Sequence, residues 1–145
     1  MLSIRSLLAP RVIVHAHCDI PCGIYDPAPA KIAADTVAKM VEKIEGAAGD
    51  AAQHGPDELT HHNTLIRSVT VKEEHAQICK RELLILWTDY FKPEHLEKYP
   101  KLHETFWKAA KLCSKNKQSV DAQAAADLQA AVKEISDIFW ATKKG

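Results

Sequence analysis

Between His17 and Tyr25 the chain reads HCDIPCGIY, and this run holds the side chains best suited to chemistry. Cys18 and Cys22 are separated by three residues, so two thiolates can close on one ion if the chain turns between them. Pro21 and Gly23 flank Cys22 and suit such a turn, since proline accommodates a cis bond and glycine a positive φ. A C-x3-C pair alone is not a zinc motif. Zinc sites usually bring four side-chain ligands at C-x2-C or similar spacing, and there is no second such pair. His61, His62 and His75 are further imidazoles, each read as a solvated or packed side chain.

The sixteen residues ahead of the run, MLSIRSLLAPRVIVHA, contain two arginines, no acid, and Val14-x-Ala16 immediately before His17. Pro10 and Arg11 split the apolar part into pieces shorter than the ~7–15 residues of a secretory core. Residues 1–16 are therefore expected to form a removable leader, or propeptide, on a cytoplasmic protein, with secretion as the alternative. Cleavage after Ala16 would free the α-amine of His17. That amine, the deprotonated amide of Cys18 and the thiolates of Cys18 and Cys22 form a planar N2S2 donor set. Tetragonal geometry is preferred by Ni(II) and Cu(II). Thiolates would draw copper to Cu(I) or be oxidised to a disulfide, which leaves nickel. The His17 imidazole remains as an axial fifth ligand. Anionic donors favour the higher oxidation state, so one-electron cycling on a small diffusible substrate is the chemistry such a centre suits.

Helices must position this hook. From Pro27 onward the apolar residues recur at helical spacing, and no segment alternates with period two. Ala33, Val37, Met40, Val41 and Ile44 share one face of a first helix that starts beside prolines and is predicted to end at Gly46. AAGDAAQHGPDEL reads as a loop. A long second helix is predicted over roughly 58–91, ending in LLILWTDYF. Its apolar end leaves surface for a subunit interface, or else is simply buried. FKPEHLEKYP reads as a turn region between Pro93 and Pro100. A third helix aligns Leu102, Phe106, Ala109, Ala110 and Cys113, and a fourth aligns Leu128, Val132, Ile135 and Phe139, with lysines at its C-terminal end. The expected fold is all-α, an up-and-down four-helix bundle over about residues 27–142, carrying an irregular hook at 17–25.

At 145 residues the chain has room for one domain. Its 19 basic and 19 acidic side chains balance and intersperse, which argues against nucleic acid. No run reaches the roughly 18–20 apolar residues of a membrane span. Cys79 and Cys113 fall on apolar helix faces and are read as buried, inert thiols.

HCDIPCGIYDP closely resembles the nickel-binding hook of the nickel-containing superoxide dismutase family, and the resemblance continues through LWTDYFKPEHLEKYP and IFWATKKG. It implies removal of the leader by a protease, a domain over 17–145, helical-bundle subunits assembled as a homohexamer, and one nickel ion per subunit. It implies His17 (amine and imidazole), Cys18 (amide and thiolate) and Cys22 (thiolate) as metal ligands, and Pro21 as a cis proline. Tyr25 is implied to stand over the open face of the metal and control access. Tyr90 and Lys92 match residues that support this tyrosine gate and a neighbouring subunit. Where the better-known members carry a glutamate in the first helix and an arginine behind it, this chain has Ala33 and His75, and neither role passes to them.

The implied reaction is disproportionation of superoxide to dioxygen and hydrogen peroxide through a Ni(II)/Ni(III) cycle. Without Arg5 and Arg11 the chain holds 17 basic against 19 acidic side chains, so steering of the anion must be local, with Lys92 the candidate. Two other readings stand beside it: a dithiol redox protein using Cys18 and Cys22, and a nickel-binding protein without dismutase activity.

Overall fold

The computed structural model describes residues 23–49 and 58–144, and all regular structure among them is helical. Five α-helices follow one another: α1 (Ala28–Gly49), α2 (Glu58–Ile85), α3 (Pro93–Lys98), α4 (Leu102–Gln118) and α5 (Ala122–Lys143). A single π turn, Leu86–Tyr90, prolongs α2. The four long helices close into a ring in which α1 packs on α2 and α5, and α4 packs on the same two. This is the expected four-helix bundle.

Most of each face expected for α1, α4 and α5 lies in the core, Met40 and Ala110 being only partly buried, and α2 adds Ala76, Cys79 and Leu83. Val37, Val41 and Ile44 of α1, Leu102, Phe106, Ala109 and Cys113 of α4, and Leu128, Val132, Ile135 and Phe139 of α5 are all buried. Small residues on α1 (Ala30, Ala33, Ala34) let its neighbours approach closely, while Phe106 and Phe139 supply volume. Burial of each such side chain stabilises the fold by roughly 1.5–3 kcal/mol. In LLILW, Leu83 and Leu86 are in the core and only Leu84 is substantially exposed, so burial accounts for most of that apolar run. No helix among the described residues is long and apolar enough to cross a membrane.

Three boundaries differ from the sequence reading. Helix α1 runs through Gly46 to Gly49, because an interior glycine costs only about 1 kcal/mol and Ala47 and Ala48 continue the helix. The expected turn region contains α3: Pro93 occupies its first turn, where a missing N–H costs nothing, and the amide of His95 donates to the Lys92 carbonyl at 2.9 Å. The second helix does reach Tyr90, but its last turn is π, closed by the Phe91 amide on the Leu86 carbonyl at 3.1 Å.

Helix α4 ends on a side chain from another helix. The Lys72 ammonium, almost fully buried, donates to the carbonyls of Asn116, Lys117 and Ser119. The last carbonyls of a helix lack intrahelical donors and carry partial negative charge, so a cation there satisfies both needs. Asn116 then ties α4 to the start of α5, its amide donating to the Ala124 carbonyl at 2.9 Å. Asp121 caps α5 by accepting from the Ala124 amide at 2.9 Å.

Lys72→Met should cost about 2–3 kcal/mol by orphaning three carbonyls, lowering Tm by roughly 6–10 °C in thermal unfolding. Burial holds the Lys72 ammonium below the ordinary lysine range, with Glu73 opposing. The unfolded chain therefore binds this proton where the folded chain has begun to release it. Folding stability should rise with pH across a window that closes near the unfolded lysine value of about 10.4. That increment should be missing from the pH dependence of Lys72→Met.

Candidate functional site

The described part of the hook begins at Gly23, whose φ of 91° is the positive value expected for that glycine. His17, Cys18, Pro21 and Cys22 lie outside the described residues. Tyr25 and Asp26 follow as the chain enters α1. Asp26 Oδ1 accepts from the Ala28 amide at 2.7 Å, a local turn that fixes the direction in which the chain enters the helix. Pro27 is buried beside it, and Pro29 sits in the first turn. The segment carrying Tyr25 is thus held on a rigid helix end.

Tyr25 is half-buried, and its ring lies 5.7 Å from that of Tyr90, tilted by 58°. The structure brings together these two residues, 65 positions apart. Tyr90 sits in the π turn and is gripped on several sides. Phe139 lies 4.3 Å away, Phe91 packs edge-on at 4.9 Å, and His95 stacks at 5.7 Å with planes 18° apart. The Tyr90 hydroxyl is 2.7 Å from Thr142 Oγ1. The Thr142 hydroxyl gives its only proton to the Phe139 carbonyl, also at 2.7 Å, so Tyr90 must be the donor in its own bond. Its proton is committed to Thr142. Lys143 Nζ lies 5.6 Å from the Tyr90 ring centre and adds positive charge to this end of the bundle.

Lys92 is exposed at the start of α3, and its amide donates to His95 Nδ1 at 3.1 Å. One imidazole thus packs against Tyr90 and also orients the backbone that carries Lys92. Next to Tyr25 lies a cavity of about 140 Å³ lined by Ile24, Tyr25, Asp26, Pro29, Glu82, Ile85 and Leu86. Ala33 is in the core and offers no polar group. His75 donates from Nδ1 to the Val71 carbonyl of its own helix at 3.0 Å. His61 and His62 lie near each other with ring centres 6.0 Å apart. Among the described residues, no three His, Cys, Asp or Glu side chains group as a metal site.

Sequence reasoning missed Glu82, His95, Thr142 and Lys143. Thr142 and Lys143 lie within IFWATKKG, a stretch that carried the resemblance without a role. His95 was hidden in a segment read as a turn. Glu82 carried no signal at all, since a single acid on a helix is ordinary.

Tyr90→Phe should keep the ring packing and lose one hydroxyl bond, at a cost of about 1 kcal/mol, whereas Tyr90→Ala should cost about 3–5 kcal/mol by opening a cavity against Phe139. Denaturant unfolding of the two variants would check this. Equal losses would mean that the Thr142 bond, not the packing, holds the ring.

Residues 12–143 match the family described as nickel-containing superoxide dismutase. The chain is 41% identical over 138 residues to the superoxide dismutase (Ni) of Streptomyces coelicolor, spanning 95% of this chain and 96% of that protein. It is 42% identical over 138 residues to that of Streptomyces seoulensis, with the same shares of 95% and 96%. Among solved structures, it is similar to a nickel-containing superoxide dismutase with nickel ligation corresponding to the oxidized state, at 41% identity and a TM-score of 0.72, covering 89% of this chain and 100% of that one. The state after partial X-ray-induced reduction gives the same identity of 41%, TM-score of 0.72 and coverage of 89% and 100%.

Proposed function

Because the chain belongs to the nickel-containing superoxide dismutase family, we propose that it converts two superoxide anions and two protons into dioxygen and hydrogen peroxide. The observation that carries this reading is the family match across residues 12–143, joined to the donor set at its front. The donor types fit nickel: the His17 amine and imidazole, the Cys18 amide and the thiolates of Cys18 and Cys22 would hold the ion. A nickel ion held there would supply one-electron redox chemistry.

The remaining work falls to the chain. Tyr25, braced against Tyr90, narrows the approach so that a small anion passes and bulkier molecules are turned away. Lys92 and Lys143 place positive charge at this end of a chain that is otherwise near neutral, which favours arrival of an anion more than tight binding. The Asp26 turn keeps Tyr25 in register with the bundle.

The leader, residues 1–16, masks the His17 amine until a processing protease removes it. Self-association as a homohexamer, in the cytoplasm, completes the reading. Exposed apolar side chains, including Ile24, Ile32 and Ile66, provide surface for it.

A chain that still begins at Met1 should neither hold nickel tightly nor scavenge superoxide, because an acylated His17 lacks the amine donor. Full activity from that form would sink the assignment. Cys18→Ser and Cys22→Ser in the cleaved protein should each abolish redox-active nickel, read by metal analysis together with a superoxide assay. A metal-free preparation that exchanges disulfides efficiently would instead favour a dithiol redox protein. Native mass measurement should return six subunits.

A further inference from the structure

Two cysteines play no part in the metal chemistry, yet the fold puts them together. Cys79 on α2 and Cys113 on α4 are free thiols with no exposed surface, in one buried cluster. The antiparallel register of the two helices brings them level. One residue beyond each, Lys80 Nζ donates to Ser114 Oγ at 3.2 Å. Toward one end of the bundle, Lys117 Nζ donates to Gln77 Oε1 at 3.1 Å, and toward the other, Trp87 Nε1 donates to His103 Nδ1 at 2.7 Å. Cys79 and Cys113 lie on the line of contact between these rungs. Packed helix axes are about 8–10 Å apart and Cα atoms stand about 2.3 Å from each axis, so facing Cα atoms fall at about 3.4–5.4 Å. That is near the usual span of a disulfide, about 4.4–6.8 Å. The buried Ala76 and Ala109 on the same two helices leave no bulk to hold them further apart.

We propose that Cys79 and Cys113 form a peroxide-responsive dithiol that closes to an interhelical disulfide. The two thiols are not equivalent. A hydrogen bond with Cys113, and burial, push the Cys79 thiol well above the ordinary range, so it keeps its proton. The hydrogen bond from Cys79 lowers the Cys113 thiol, burial opposes it, and the Lys80 charge adds to the lowering; because Lys80 is held on Ser114, the neighbour of Cys113, we assign Cys113 as the attacking sulfur. The Cys113 sulfur attacks hydrogen peroxide, an S–O bond forms as the O–O bond breaks, and hydroxide leaves as water with the thiol proton. The Cys79 sulfur then attacks the sulfenic sulfur, an S–S bond forms as S–O breaks, and the hydroxyl leaves as a second water with the Cys79 proton. Two thiols lose two electrons and one peroxide gains them. Hydrogen peroxide is the product of the proposed reaction, so the pair would report accumulation of the enzyme's own product. The chemistry itself needs no nickel.

The test is made on the full chain with added hydrogen peroxide. The protein is exposed to increasing peroxide, quenched, unfolded in a thiol-blocking reagent, and digested with trypsin without reduction. Residues 73–80 (EEHAQICK) should be recovered joined to residues 112–115 (LCSK), in rising amount with dose, and should separate again on reduction. The closed form should also show a higher Tm than the reduced form. In Cys79→Ser the joined pair should vanish, and Cys113 should be trapped as its sulfenic acid by a 1,3-diketone. Recovery of both peptides singly blocked, at doses that fully oxidise free LCSK peptide, would overturn the proposal. Joining of either peptide to Cys18 or Cys22 instead would overturn it as well. Because the readout is independent of bound metal and of dismutase activity, its failure would leave the proposed function standing.

Discussion

The contact between Tyr25 and Tyr90 is the joint on which the arrangement depends, because it is where the hook segment meets the bundle. Tyr25 belongs to a segment with no helical ladder of its own, so an aromatic partner must define its place. Tyr90 can serve because three separate elements immobilise it: the π turn that carries it, His95 at the start of α3, and Phe139 with Thr142 at the end of α5. A π turn accommodates one residue more than an α turn and so changes which way the following side chains face. Here that shift leaves Leu86 in the core while Tyr90 meets the hook segment. The helix gives up regular geometry at the position where the fold needs a side chain redirected.

Polar groups within the bundle do a different job from the apolar ones. Phe106, Phe139 and the aliphatic faces supply most of the driving force, but apolar contact is tolerant of sliding. Lys72 on the end of α4, Lys80 on Ser114 and Trp87 on His103 are directional and form only at one axial offset between α2 and α4. Burying an ammonium is costly, and the three carbonyls offset that cost while excluding other registers. The same offset sets Cys79 level with Cys113.

How much could be read from the sequence divides along physical lines. The apolar faces of α1, α4 and α5 were legible because burial imposes a period of 3.6 over many turns, and every core position expected on α5 is buried, whereas the inner face of α2 includes Ser68 and Lys72. The positive φ of Gly23 was legible from its place beside Cys22. What escaped was either short or non-local. Six residues of α3 are too few to show a period, and a π turn leaves no mark on hydrophobic spacing. Lys72 looks like any helical lysine until the carbonyls it meets, more than forty residues away, are seen. The same holds for Thr142, whose partner lies 52 residues back in the chain.

Helix α5 can also be regarded as a strut. Its 22 residues span about 33 Å, and an α-helix resists stretching along its axis. Its near end is pinned through Asn116 and Asp121 to the turn that Lys72 holds, and its far end carries Phe139 and Thr142 against Tyr90. An axial slip at the lysine end is therefore delivered almost undiminished to the tyrosines, a full bundle length away. The position of Tyr90, and with it the contact that Tyr25 makes, is gauged from the opposite end of the molecule.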